Sequence, residues 1–227
     1  MDRYINAIRK MRDGSCMLID GATATELERR GVPQLNNAWN GGGALSHPDI
    51  LKNIHSEYIK LGAKLIISNT FATCKHTLED AKQSHNFQKL NSEGVRIAIE
   101  ARSELNADEV LVAGGISYWS FTGRDPSLSR LKVNIYEQAY LLADSGADLL
   151  ILEMMKDIES ESVDLILTDL PYGVLNPRNK WDNIIPFDCH FCIKTFTSKM
   201  LITRCSSKSV LFGLNLSSRF NNLGKRE

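Results

Sequence analysis

The chain has 227 residues, 43% of them hydrophobic and 24% charged, and its 27 Lys and Arg are balanced by 27 Asp and Glu. That composition is ordinary for a globular chain, long enough for one good core and too short for two full enzymes. With no net charge, no global field draws it to nucleic acid or to a membrane surface. No apolar run approaches the ~20 residues that span a bilayer. The opening stretch, Met1 to Cys16, is a charged amphipathic lead-in without an apolar signal core. Five cysteines are too few and too odd in number for a disulfide framework, so a reducing, cytoplasmic home is expected.

Along the first two thirds, short apolar runs alternate with helical patterns. Met17–Asp20 is an apolar run that ends in an acid and Gly21. A short helix over 24–30 is stopped by Gly31 and Pro33, and Asn36 to Gly43 reads as a loop. Pro48 opens a helix through Leu61, with Ile50, Leu51, Ile54, Tyr58 and Leu61 on one face, and Gly62 caps it. Leu65–Ile67 is a buried strand ending at Ser68-Asn69-Thr70. Helices follow over roughly 76–84 and 89–105. Val110–Ala113 is the third strand, closed by Gly114 and Gly115. A polar loop from Ser117 leads into a helix over about 132–144, and Leu149–Leu152 is the fourth strand, ending at Glu153.

Continuous apolar strands separated by helices imply a parallel sheet covered on both faces. A (β/α)8 barrel and an open doubly wound sheet both fit, and in both, chemistry collects at the carboxyl ends of the strands. Asp20, Asn69, Ser117 and Glu153 occupy those ends. Singly, each has a plain structural reading: a helix cap, a turn former, a loop residue, a helix-start acid. Four polar groups at four successive strand ends point to a shared site.

These same segments carry a resemblance. Leu18-Ile-Asp-Gly-Ala-Thr-Ala-Thr-Glu-Leu-Glu28, the Trp39-Asn40 loop, His47-Pro48, Ile67-Ser-Asn-Thr-Phe-Ala-Thr73, Ala113-Gly-Gly-Ile-Ser117 and Ser145-Gly-Ala-Asp-Leu-Leu-Ile-Leu-Glu-Met-Met155 resemble the homocysteine S-methyltransferase family over roughly residues 10–157. The resemblance implies a (β/α)8 barrel, of which residues 1–157 hold the first four β/α units. It also implies methyl transfer from a sulfonium or betaine-type donor to the thiol of homocysteine. By motif match, Asp20 and Glu153 hold the substrate ammonium. Gly21 lets the substrate approach the backbone, and Trp39, Asn69 and Ser117 line the pocket. The family uses Zn²⁺ to make the thiol a thiolate. Its zinc-binding cysteines come from the second half of the barrel, and their motifs are missing here, so no metal ligand is assigned in this chain.

Residues 158–227 have a different character. From Cys189 onward there are 7 Lys and Arg against 1 Asp or Glu, a basic tail best read as a solvated face. Ser162-Val-Asp-Leu-Ile-Leu-Thr-Asp-Leu-Pro-Tyr-Gly173, with Asn179-Lys-Trp-Asp182 and Ile184-Ile-Pro-Phe-Asp188, resembles the catalytic segment of DNA methyltransferases that methylate adenine N6 or cytosine N4. That resemblance implies a short α/β fragment in which Asp169 and Pro171 accept hydrogen bonds from the exocyclic amine of a flipped base and Tyr172 stacks on it. Such enzymes take the methyl group from AdoMet through a glycine-rich turn that 158–227 does not contain. Val163–Thr168 reads as a buried strand able to add, in parallel, beside Leu149–Leu152, and Val210–Gly213 as a following strand. Cys189-His-Phe-Cys192 is an isolated pair of cysteines, incidental without partners at metal-site spacing.

The expectation is therefore a truncated barrel of the homocysteine S-methyltransferase family joined to a methyltransferase-like fragment. Its partners are homocysteine and a methyl donor, with DNA only under the alternative reading of a DNA methyltransferase remnant or an inactive chimera, and no membrane.

Overall fold

The computed structural model describes residues 3–15 and 17–154, together with four short strands at 166–167, 195–196, 199–200 and 211–214. Its centre is a parallel sheet of β1 (Leu65–Ile67), β2 (Leu111–Ile116) and β3 (Leu149–Glu153). The registers pair Ile67 with Ala113 and Gly115 with Ile151. The segment before β1 joins the sheet through a single parallel bridge, Ile19 to Leu65, with Lys64 N donating to Leu18 O and Asp20 N to Leu65 O. The first expected strand is thus shorter than its apolar run, but it lies where the pattern placed it.

Helices connect the strands. They are α1 (Arg3–Arg12), α2 (Thr23–Arg29), α3 (Gly43–Ser46), α4 (Pro48–Lys60), α5 (Lys75–Asp80), α6 (Phe87–Glu104) and α7 (Leu128–Asp144). Pro48 sits in the first turn of α4, where its missing N–H costs nothing. Gly62 follows that helix with φ +105°, a conformation that glycine adopts without penalty. Ala63 N then turns back to Tyr58 O. The Ser127 side chain caps α7 by accepting from Arg130 N, so that helix starts four residues before the expected 132. The helix expected over 76–84 stops at Asp80, and a 3₁₀ turn covers Ser84–Asn86.

Alternation along the strands divides the core in two. Ile66, Val112, Ile116 and Leu150 point one way and pack under α6 and α7 against Val95, Ala98, Ala139 and Leu142, with Tyr58 and Ile59 of α4 beside them. Leu65, Leu111, Ala113, Leu149 and Ile151 point the other way, where Tyr4 and Ala7 of α1 cover them with Met17, Ile19 and Ile67. Asp148, just before β3, ties the amino-terminal edge of the sheet. It accepts from Val112 N at 2.8 Å and from the Arg102 guanidinium at 2.6 Å.

Two expectations are corrected. Gly114 and Gly115 do not close β2, which runs on through Ile116. Both glycines lie in the strand because neighbours occupy the space above them. A Cβ at Gly114 would stand 3.0 Å from Leu142 and Leu150. Second, the neighbour of β3 is not a parallel strand from 163–168. It is β7 (Leu211–Leu214), running antiparallel, and β4 (Ile166–Leu167) pairs with β7 on its far side. An antiparallel partner needs no crossover, whereas a parallel one requires a connection of a dozen or more residues. A separate hairpin pairs β5 (Thr195–Phe196) with β6 (Lys199–Met200).

Candidate functional site

Asp20 is held from two sides. Its backbone N–H bonds to Leu65 O at 2.9 Å, and its Oδ2 accepts from Ile67 N at 2.8 Å. The side chain is thereby fixed against the end of β1. It is 5% exposed, and its Oδ1 has no hydrogen-bond partner among the described residues. Burial pushes this carboxyl well above the usual range, the Ile67 N–H pulls it down, and the negative charge of Glu153 pushes it further up. Glu153 ends β3, two residues beyond Ile151 on the same face. Its Oε1 lies 2.5 Å from where a Cβ on Gly115 would be. Two carboxylates therefore face one another's field at the carboxyl ends of the strands, one buried with a spare acceptor. Such a pair favours a proton or a cation between its members.

The surrounding loops close on this point. A Cβ on Gly21 would meet the Tyr58 hydroxyl at 2.9 Å, so the bare backbone after Asp20 is filled by a phenol. Burial pushes that phenol up to about 12, with Glu26 and Asp20 adding to the effect. Trp39 adopts φ +45°, and its indole N–H donates to Glu28 at 3.3 Å. That left-handed turn leaves Asn40 buried, where its amide donates to Val32 O and its backbone carbonyl accepts from Asn69 Nδ2 at 2.9 Å. Asn69 thus bridges the end of β1 to the Trp39–Asn40 loop.

Ser117 is fully buried, and its hydroxyl accepts from Trp119 N at 3.0 Å, closing its own loop. The same loop is fastened to α5. Tyr118 O lies 3.2 Å from His76 Nε2, and Trp119 O accepts from the Thr77 hydroxyl at 3.1 Å. Asp80 pairs with Arg124, and Glu79 with Arg130. Tyr58, Asn40, Thr70 and Gly115 are participants that pattern reading did not single out as site residues. Of these, only Thr70 lies in the polar cluster that follows a strand; Tyr58 sits within α4 and Gly115 within β2, where no local signal marks them.

Asp169, Pro171, Tyr172, Cys189 and Cys192 lie outside the described residues. Among the described residues, no group of three or more His, Cys, Asp or Glu side chains is placed to hold a metal. Cys74, the free cysteine described, is buried with its sulfur 3.0 Å from the Thr77 hydroxyl. Burial raises its thiol above the ordinary value, the reverse of what a metal-binding thiolate needs. These residues do not fit a zinc centre. No helix among them is long and apolar enough to cross a membrane.

Residues 17–176 match the homocysteine S-methyltransferase family. The chain belongs to that family. The match takes in the strand ends at Asp20, Asn69, Ser117 and Glu153 and runs through Asp169–Tyr172. Homocysteine S-methyltransferase of Escherichia coli strain K12 is 27% identical over 187 residues, covering 73% of this chain and 59% of the relative. Homocysteine S-methyltransferase 1 of Arabidopsis thaliana is 25% identical over 162 residues, covering 62% and 50%. The crystal structure of the metallated homocysteine methyltransferase MmuM from Escherichia coli superposes with a TM-score of 0.54 at 24% identity. It covers 63% of this chain and 55% of that one, a likeness of fold. The chain spans about half the length of the curated relatives it matches.

Proposed function

We propose that residues 17–154 build the amino-acid-binding side of a homocysteine methyl-transfer site, on the first four β/α units of a (β/α)8 barrel, in a cytoplasmic protein. The observation that carries this reading is the pair Asp20 and Glu153: a buried carboxyl with an unpartnered oxygen, placed in the field of a second carboxylate at the carboxyl end of the same sheet. An α-ammonium brings three N–H donors and one positive charge. It would satisfy Asp20 Oδ1 and neutralise the repulsion between the two acids. Asn69 and the Trp39–Asn40 loop shape the wall beside it, and Tyr58 fills the space against Gly21.

With the ammonium fixed, the homocysteine sulfur is left to react. It loses its proton to solvent and forms a bond to the methyl carbon of a sulfonium or betaine-type donor. The bond from that carbon to the donor heteroatom breaks, and its electron pair stays on the donor, which leaves as a neutral thioether or amine. Holding one reactant in a defined pose is the described residues' contribution to rate. Zinc, the family's means of making the thiolate, has no ligand set among the described residues, and no step is assigned to it.

Calorimetric titration of the full chain with L-homocysteine tests this reading. Asp20→Asn and Glu153→Gln should each weaken binding by about 10- to 100-fold, the loss of one charge-assisted hydrogen bond. Methionine formation from homocysteine and S-methylmethionine, followed by mass spectrometry, tests turnover. Binding unchanged in both variants would remove the site from these carboxylates.

A further inference from the structure

We propose that Gly115 is a positioning residue: its missing side chain is the seat of the Glu153 carboxylate, and Thr70 holds that seat in place. The proposal deepens the reading of Asp20 and Glu153 as an ammonium site and rests on it.

Gly115 is not in the left-handed region, since it is absent from the positive-φ residues. Its backbone is one that any residue adopts, so its lack of a side chain is a matter of space. Along β2 it shares the face of Leu111 and Ala113, opposite Ile151 and below Glu153. A Cβ there would stand 2.5 Å from Glu153 Oε1, 3.1 Å from Ile67 Cγ2 and 3.5 Å from Thr70 Oγ1. Real Cβ atoms essentially never show the first distance, so even alanine makes the carboxylate leave this position.

The seat is braced from below. Gly115 O accepts from Thr70 Oγ1 at 2.8 Å. A carbonyl only accepts, so Thr70 spends its one hydroxyl proton there and must accept from Ser68 Oγ at 2.9 Å. The carbonyl of Thr70 in turn takes Gln138 Nε2 of α7 at 3.1 Å. Gln138 also reaches Asn91 Oδ1 of α6 at 3.0 Å, and Asn91 donates to Thr73 O at 3.1 Å. Every one of these side chains is buried. Gln138 Oε1 alone among these groups has no partner among the described residues, and the remaining bonds hold the turn after β1 in one arrangement. They link two outer helices, through that turn, to the backbone on which Glu153 rests.

The test follows two readouts in the full chain: L-homocysteine binding by calorimetry, and the titration midpoint of Asp20 by ¹³C NMR with carboxyl-labelled aspartate. In Gly115→Ala, binding should weaken by about 10- to 100-fold. The Asp20 midpoint should move down, as in Glu153→Gln, because the repelling carboxylate has been displaced. Adding Glu153→Asp to Gly115→Ala shortens the acid by one methylene and should restore part of the affinity. A folded Gly115→Ala chain with wild-type binding and an unmoved Asp20 midpoint overturns the proposal, as does a double variant no better than the single one. If the wild-type chain binds no homocysteine, the ammonium-site reading fails, while the Asp20 midpoint still decides whether Gly115 seats Glu153. Should Gly115→Ala not fold, Thr70→Val decides. It keeps the side-chain shape, removes the donor to Gly115 O and should lower the Asp20 midpoint; an unmoved midpoint there overturns the proposal.

Discussion

The two faces of one sheet contrast sharply. On the face under α6 and α7, Ile66, Val112, Ile116 and Leu150 are apolar from end to end and meet a closed layer of Val95, Ala98, Ala139 and Leu142. On the other face, Leu65, Leu111, Ala113, Leu149 and Ile151 are apolar only toward the amino-terminal ends, where α1 covers them. Toward the carboxyl ends that face gives way to Gly115, Glu153 and Asp20. Side chains one residue apart on the same strands thus serve different ends. One set buries area and supplies stability; the other stops burying area where the two carboxylates stand. A strand imposes period two on both, so the stable face and the chemical face come from a single alternating run.

The contrast can be broken first where it is strongest. Ile66→Ala under the helices should cost roughly 2–5 kcal/mol in urea denaturation, the range for emptying a packed core position. It should leave the midpoint of Asp20 titration unchanged, and a large change in that midpoint would show that the two faces are not separable.

The next effect is a pH dependence of opposite sign on the two sides. His55 of α4 is fully buried with neither ring nitrogen bonded among the described residues, and burial lowers it to about 4. Below pH 6.5 the unfolded chain takes up a proton that the folded chain refuses. Stability is therefore lost as pH falls from about 6.5 to about 4, by roughly 3 kcal/mol in total. Asp20 runs the other way. Its folded carboxyl titrates above the unfolded one, so its contribution is present below the ordinary aspartate value and disappears as pH rises through the folded one. Denaturation of His55→Leu and Asp20→Asn across pH 3 to 8 should remove one slope each. Loss of both slopes in either variant would contradict the assignment.

Gln138→Leu sharpens the contrast between packing and polar bracing. It fills space yet strips a donor from Thr70 O and from Asn91 Oδ1, and about 1–3 kcal/mol of stability should go with it. The smallest effect belongs to the surface. Arg130→Ala removes the exposed pair with Glu79 and should cost at most about 1 kcal/mol, less at high salt. A larger, salt-independent loss would mean that Arg130 does more than pair with Glu79 at the surface.

Much of this arrangement was legible residue by residue. The runs at Leu65–Ile67 and Leu149–Leu152, the helix opened by Pro48 and stopped at Gly62, and the long pattern of α6 all follow from period and punctuation. So does the placing of Asp20, Asn69, Ser117 and Glu153 at strand ends. The glycines of β2 misled because glycine ordinarily ends a strand, and no local signal tells that Leu142, Leu150 and Glu153 will take up the space above them. That the Ser117 hydroxyl accepts from Trp119 N of its own loop was set by the path of the chain after β2, which no local pattern gives.

The sequence by itself determined the alternation of strand and helix, the parallel sense of β1, β2 and β3, and the candidate acids, because these depend on hydrophobic period and on groups near one another in the chain. Only the tertiary structure decided that Asp20 keeps one oxygen unpartnered, that Glu153 rests on Gly115, that Thr70 braces that glycine from 45 residues away, and that β7 pairs with β3 antiparallel. Those outcomes depend on which surfaces meet across the sheet, and pairing over such separations is set by packing and hydrogen-bond satisfaction rather than by any local preference.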